Sequence, residues 1–324
     1  MKLTRTLGAI ALALSVAAPA AAFTPDKPEC VAPANPGGGF DLTCRLATQG
    51  FQELNLLKEP MRVTFLPGGI GAVAYNTIIS QRPADPNVIV AFSGGSLLNL
   101  AQKKFGQYTV DDVRWLSAVG ADYGVLVVRK DAPWKNLSEL MGAVKADPAK
   151  VVFGGAGSVG SQDWMKSALI AKQAGVDPRS MRYVAFEGGG SATTALLGGH
   201  VQVFPGDASE MAGQLDAGTM RVLAVLAPER LSGKFADIPT AKEQGFPVDW
   251  TVIRGFYTGP KVSDEAYKFW IETFEKMLGT KEFAELREQR GLFPFAMTGD
   301  KLDAYVKEHV ADFRKLATEA GLIK

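Results

Sequence analysis

The sequence predicts an α/β protein built on parallel sheets with helices on both faces, organised as two lobes or one large domain. Three observations predict it. Six β-rich runs, Arg62–Leu66, Val88–Phe92, Gly124–Val128, Val151–Phe153, Arg182–Phe186 and Met220–Leu226, are mostly separated by helical stripes, the mark of βαβ units. The 324 residues, 47% of them apolar, supply ample core and exceed the usual size of one domain. Glycines gather where the β-rich runs end.

The elements follow in order. Met1-Lys2-Leu3-Thr4-Arg5 is a positive start, Leu7 to Ala18 is an apolar run of 12 residues, and Ala20-Ala21-Ala22 offers an A-x-A cleavage site. The run is too short to span a bilayer. Residues 1–22 therefore read as a cleaved signal peptide and the remainder as an exported, soluble protein. In an oxidising compartment Cys30 and Cys44, 14 positions apart, are expected to form a disulfide. The bond would tie a strand end to a helix start across Gly37-Gly38-Gly39, a loop whose closure is worth about 3 kcal/mol. Pro228, Gly233, Pro239, Gly245 and Pro247 punctuate residues 227–249, where the chain is expected to cross between lobes. Ser263-Asp264-Glu265 caps a helix carrying Tyr267, Trp270, Ile271, Phe274, Met277 and Leu278 at helical spacing. Leu302, Tyr305, Val306, Val310, Phe313 and Leu316 mark a second helix, with His309 packed on its stripe.

Composition narrows the function. With 35 Lys+Arg against 34 Asp+Glu there is no basic excess for nucleic acid. Two histidines and two cysteines leave little for a His- or Cys-based metal site, and no cofactor is expected.

Fifteen of the 35 glycines fall in five clusters: 37–39, 68–71, 94–95, 154–160 and 188–190. Each follows a strand-like run and precedes a helical one, which in a parallel sheet is the carboxyl edge where ligands bind. Glycine lets backbone N–H groups approach a ligand, and a helix start adds unpaired donors. Ser93, Ser96, Ser158, Ser161, Ser191 and Thr193 add neutral donors, while Lys and Arg are scarce in the clusters. The set suits a small oxyanion held by uncharged groups. Asp41 fits a helix cap or a contact to a ligand hydroxyl; Phe40 fits an apolar wall or core packing.

Two motifs point elsewhere. Gly155-Ala156-Gly157-Ser158-Val159-Gly160 matches a dinucleotide fingerprint, but the acidic residue ending the next strand, Glu187, comes 27 positions after Gly160 rather than about 20. The same stretch approaches a nucleophile elbow, so an exported serine hydrolase using Ser158 and His200 stands as the alternative function. His200, in Leu197-Gly198-Gly199-His200-Val201, reads more simply as a helix-ending turn.

The segment Ala34-Asn35-Pro36-Gly37-Gly38-Gly39-Phe40-Asp41, the run Gly157-Ser158-Val159-Gly160-Ser161, Phe186-Glu187-Gly188-Gly189-Gly190-Ser191 leading to Leu196-Leu197-Gly198-Gly199-His200-Val201, and Pro239-Thr240 with Glu243-Gln244-Gly245 resemble the extracytoplasmic solute receptors of tripartite tricarboxylate transporters. The cysteine pair resembles the tricarboxylate-binding branch. The resemblance implies a two-lobed periplasmic-binding fold: two doubly wound sheets, a hinge with two crossings, and C-terminal helices. It places lobe I at residues 23–121 plus 247–324 and lobe II at 122–246. It implies a non-enzymatic periplasmic monomer that binds a citrate-like tricarboxylate or a related dicarboxylate and delivers it to integral-membrane permease subunits. A ligand-sensing role beside a sensor kinase uses the same cleft. The implied binding residues are Gly38, Gly39, Phe40 and Asp41 on the first loop, then Gly69, Ser93 and Ser96. Facing them are Gly157, Ser158, Ser161, Gly188, Gly189, Ser191 and Asp207. Arg254 is placed to meet a third carboxylate or to form an interlobe salt bridge.

Overall fold

The computed structural model describes residues 23–323, so the signal peptide expected at 1–22 lies outside the described residues. Strand β1 (Glu29–Ala32) is buried along its length and takes β2 (Arg62–Phe65) and β3 (Val88–Ser93) on either side, both parallel. Helices α1 (Gly39–Glu53), α2 (Ala72–Gln81) and α3 (Gly94–Ala101) follow these strands, giving the βαβ pattern. Leu46, Ala47 and Phe51 of α1 are buried together with Ile89 of β3 and Phe274. Cys30 and Cys44 form a disulfide with Cα atoms 5.7 Å apart, tying β1 to α1.

Strand β4 (Arg114–Arg129) is where one sheet becomes two. Its residues Arg114–Tyr123 pair antiparallel with the strand Thr251–Thr258, which also pairs antiparallel with β3. From Gly124 onward β4 pairs with the strand Met220–Leu226 instead. After α4 (Leu137–Ala146), the second sheet adds β5 (Val152–Ala156), β6 (Arg182–Phe186) and β7 (Val203–Phe204), with β5 parallel to both others. Helices α5 (Gln162–Gln173), α6 (Gly189–Leu197) and α7 (Ala208–Asp216) follow these strands in turn, and β8 is Met220–Leu226. The chain returns at Trp250, whose N–H donates to Leu226 O at 2.8 Å and whose carbonyl accepts from Gly124 N at 2.9 Å. It then enters β9 (Thr251–Thr258). Two doubly wound sheets are thus joined by a hinge crossed twice.

Helices α8 (Asp264–Leu278), α9 (Lys281–Gln289) and α10 (Gly299–Glu319) close the molecule, and β10 (Met297–Thr298) pairs with β4. Ser263 caps α8 by accepting the Ala266 N–H, while Trp270, Phe274 and Met277 are buried. His309 stacks on Tyr305 and meets Phe313 edge-on, and burial lowers its pKa. Among the described residues no helix is long and apolar enough to cross a membrane.

The sheets are mixed rather than wholly parallel. A chain that leaves a lobe and comes back needs two strands through the hinge, and here both run against their neighbours. The first half of β4 carries Ser117, Gly120 and Asp122, which break the apolar run, so only its second half is legible as a strand.

Candidate ligand site between the lobes

Five Gly-rich or capped turns converge, three of them at glycine clusters named above; the turn at 68–71 is not among them and lends only Ile70. Gly38 and Gly39 before and in α1, Ser93 and Gly95 at α3, Ser161 and Gln162 at α5, Gly188 and Gly189 at α6, and Asp207 at α7 line one recess, joined by Phe40, Glu210 and Arg254. Its volume of about 30 Å³ is small, with room for a water-sized group. The recess shares Ile70, Asn99 and Ser161 with an outer pocket of about 350 Å³, also lined by Gly69, Lys104, Gly157, Ser158 and Ala185 to Glu187. That size lies within the range of small-molecule sites.

Local structure explains the placement. Ser161 caps α5 by accepting the Trp164 N–H; Ser93 with Ser96, and Asp207 with Glu210, form reciprocal capping boxes on α3 and α7. The Ser158 amide and hydroxyl carry no hydrogen bond to protein among the described residues, so both donors are available to the outer pocket. Lys104 reaches the same pocket, donating to Val159 O at 3.1 Å; burial lowers its pKa.

Behind the recess lies a buried charge network. Arg254 on β9 donates to Asp122 through Nε and Nη2, at 3.0 and 2.7 Å, and to Asp207 through Nη2 at 2.7 Å. Lys166 of α5 donates to Asp207 and the Gly206 carbonyl, both at 2.7 Å, and pairs with Asp163 at 2.9 Å. Desolvation alone would lower the Lys166 pKa, but Asp163 and Asp207 carry it up to about 12. Burial works against the Asp207 carboxylate, yet Lys166 and Arg254 hold its pKa below the ordinary value. Glu210 accepts the Gly39 N–H at 2.9 Å and the Asp207 N–H at 3.0 Å, while burial and the Asp207 charge push its pKa up to about 8.

Several contacts cross between the two sheets' lobes. Asn35 N donates to Glu187 O at 3.0 Å, Asn35 Nδ2 to Ser191 Oγ at 3.2 Å, and Gln102 Nε2 to Gly160 O at 2.7 Å. The two triple-glycine loops abut: a Cβ on Gly190 would lie 2.3 Å from Pro36 O, and one on Gly38 would lie 3.0 Å from the amides of Gly189 and Gly190. Close approach of backbone to backbone, as well as to a pocket, requires glycine here.

The residues expected from the sequence divide accordingly. Gly38, Gly39, Phe40, Ser93, Ser161, Gly188, Gly189, Asp207 and Arg254 line the recess; Gly69, Gly157 and Ser158 line the outer pocket, as does Ser161. Asp41 lines neither and does not cap α1: its carboxylate accepts the Gly37 N–H at 2.8 Å and Arg45 Nε at 2.7 Å, which fixes the loop before the helix. Ser96 completes its capping box and Ser191 holds Asn35. Arg254 forms the interlobe salt bridge through Nε and Nη2, so the guanidinium is not a free cation for a third carboxylate. Ser158 and His200 cannot act together. Phe153 of β5 pairs in parallel with Val203 of β7, so Ser158 follows one end of the sheet and His200 precedes the other, where its N–H closes a turn on Ala195 O. Missed in the sequence were Asp122, Asp163, Lys166, Glu210, Gln162 and Lys104. Only Glu210 carried a signal, as the fourth position of an Asp207-x-x-Glu210 capping box.

A profile described as the tripartite tricarboxylate transporter family receptor matches residues 45–322. A UPF0065 protein of Bordetella pertussis is 23% identical over 326 residues, covering 99% of this chain and 98% of its own, and another from Cupriavidus necator is 24% identical over 301 residues, covering 89% and 85%. Among solved structures, the periplasmic binding protein BugD has a TM-score of 0.81 at 21% identity, covering 92% of this chain and 98% of its own. MatC of Rhodopseudomonas palustris with bound malate scores 0.76 at 21% identity (89% and 98%), and an R. palustris protein with adipate scores 0.80 at 19% (91% and 97%). The fold is that of periplasmic binding proteins, and the chain belongs to the tripartite tricarboxylate transporter receptor family.

Proposed function

We propose that this receptor binds a small di- or tricarboxylate in the periplasm, between lobe I (residues 23–121 and 247–324) and lobe II (122–246), and delivers it to a membrane permease. The observation that carries the reading is the outer pocket, where unpartnered donors of Ser158 stand with Asn99, Ser161 and the cation of Lys104 at its rim. Neutral donors to a carboxylate contribute about 1.5–3 kcal/mol each, enough for several to offset its desolvation. The malate and adipate held by two structures of the same fold support the carboxylate class. Citrate is the leading member, since the cysteine pair matches the tricarboxylate branch.

Calorimetry and thermal shift on ligand-stripped protein test it, with citrate, tricarballylate, malate, succinate and glutamate. A bound ligand raises stability by mass action. Ser158→Ala should weaken the tightest ligand by about 1–3 kcal/mol. No response to any acid of the panel would end the reading, and an unchanged affinity in Ser158→Ala would take that residue out of contact with the ligand.

A further inference from the structure

The recess behind the outer pocket is asymmetric in what it leaves unbonded. Every carboxylate oxygen of Asp122, Asp207 and Glu210 accepts at least one hydrogen bond. Two groups are left over. Gln162 Oε1 is fully buried with no partner, although its Nε2 is fixed by donating to Asp207 at 3.0 Å, which also settles which end of the amide is oxygen. Arg254 Nη1 makes no hydrogen bond among the described residues, in contrast to Nε and Nη2. Both belong to residues that line the recess, and each packs against a glycine, which leaves no side chain over it. A Cβ on Gly39 would lie 2.1 Å from Nη1, and one on Gly95 would lie 2.9 Å from Oε1.

A group that satisfies both atoms must donate to an amide oxygen and accept from a guanidinium. A carboxylate only accepts and an ammonium only donates; a hydroxyl does both. The recess, at about 30 Å³, holds one such group, and the outer pocket holds the rest of a small molecule. We infer that Gln162 and Arg254 read a hydroxyl on the ligand, so that this receptor selects hydroxycarboxylates over their deoxy and amino analogues. The inference rests on the carboxylate reading above and names the member of that class the cleft prefers. A buried acceptor left unpaired by the wrong ligand penalises that ligand, which is how such sites discriminate.

Calorimetry with succinate, malate and aspartate, three acids on one four-carbon skeleton that differ at a single substituent, tests it alongside citrate against tricarballylate. The hydroxylated member of each set should bind about 10- to 100-fold tighter. Gln162→Leu should bring each ratio to within about threefold, even though losing the Nε2 bond to Asp207 weakens all ligands alike. The ratio, rather than the affinity, is the readout, and wild-type ratios do not depend on the variant folding. Equal binding of hydroxy and deoxy acids overturns the inference, as a resident water on Gln162 would produce, while leaving the carboxylate reading intact. Tightest binding of aspartate overturns it in favour of an ammonium. A ratio that survives Gln162→Leu removes Gln162 from the assignment, and no binding by any of the five overturns both readings together.

Discussion

Raising the pH from 7 to 8 should destabilise the protein by about 1 kcal/mol through Glu210 alone, and Glu210→Gln should abolish that increment. Glu210 stands in the recess wall between two backbone donors, Gly39 N–H from one lobe and Asp207 N–H from the other. Burial and the Asp207 charge nevertheless push its pKa up to about 8, whereas a glutamate in the unfolded chain titrates at about 4.3. Between those values the native state holds a proton that the unfolded state has released. Stability is therefore lost as pH rises through the window, at up to about 1.4 kcal/mol per unit, and the loss fades above the folded value.

Asp122 and Asp163, whose pKa values burial also raises, add losses of the same sign, while the remaining groups act elsewhere. His309 has a lowered pKa, so its unfolded form binds the proton first and stability rises with pH until that imidazole titrates, at about 6.5. Glu29, Asp131 and Glu243, whose pKa values are lowered, act only in acid. Urea unfolding of wild type and Glu210→Gln between pH 6.5 and 8.5 isolates the residue, because titrations common to both proteins cancel in the difference. Parallel pH dependences in the two proteins would refute the reasoning, and a wild-type stability that rises between pH 7 and 8 relative to the variant would reverse its sign.

Three further perturbations follow from the same geometry. Arg254→Gln leaves Asp122 and Asp207 buried without their guanidinium and should lower stability by about 3–5 kcal/mol in guanidinium unfolding; a loss under 1 kcal/mol would show the pair to be solvated. Gly39→Ala places a methyl against a clamped guanidinium, so ligand affinity should fall at least about tenfold by calorimetry; wild-type affinity would mean that Arg254 yields. Cys30→Ser with Cys44→Ser opens the loop around Gly37–Gly39 and should reduce stability by about 3 kcal/mol, read as a lower urea midpoint; an unmoved midpoint would count against the disulfide.

How much of this was legible in the sequence depends on what each residue needed. Strands β6 and β8 read to the residue, because contiguous β-rich runs bounded by turn residues suffice to define them. The five strand-to-helix turns read correctly as one edge of the sheets, since a parallel strand fixes which end a following loop occupies. Strand β9 did not read as a strand: Arg254 and Gly255 interrupt it, and both are explained only by partners distant in sequence, Asp122 for one and the Ser117 carbonyl for the other. The buried charges were opaque for the same reason. Asp122, Asp163, Lys166 and Glu210 look like surface residues one at a time; Asp163 and Lys166 are neighbours on α5 and Glu210 boxes Asp207 on α7, but only the fold brings Asp122, Arg254, Asp207 and Lys166 within hydrogen-bond reach. Lys104 escaped notice because it lies beyond the end of α3, outside every glycine cluster, and reaches the pocket through its long side chain.

A cleft proposed to hold a carboxylate yet backed by four carboxyl groups looks inverted until the backbone is counted. Five helix starts meet there, each turning the positive end of its dipole toward the recess, beside Lys166 and Arg254. The acids answer that charge and fix the turns: Asp163 accepts the Ala156 N–H at 2.6 Å and so anchors the loop that presents Gly157 and Ser158 to the outer pocket. If anchoring outweighs repulsion, Asp163→Asn should weaken carboxylate binding, because an amide accepts less strongly from Ala156 and no longer pairs with Lys166. If repulsion outweighs anchoring, the same change should tighten binding by removing a negative charge from behind the site. The geometry favours the first outcome, since both Asp163 oxygens are already engaged by a cation and an N–H, which cancels most of its field at the ligand. Titration of Asp163→Asn with citrate at two ionic strengths decides between them, and an affinity above wild type that converges with it as salt rises would show that the turns do not depend on this carboxylate.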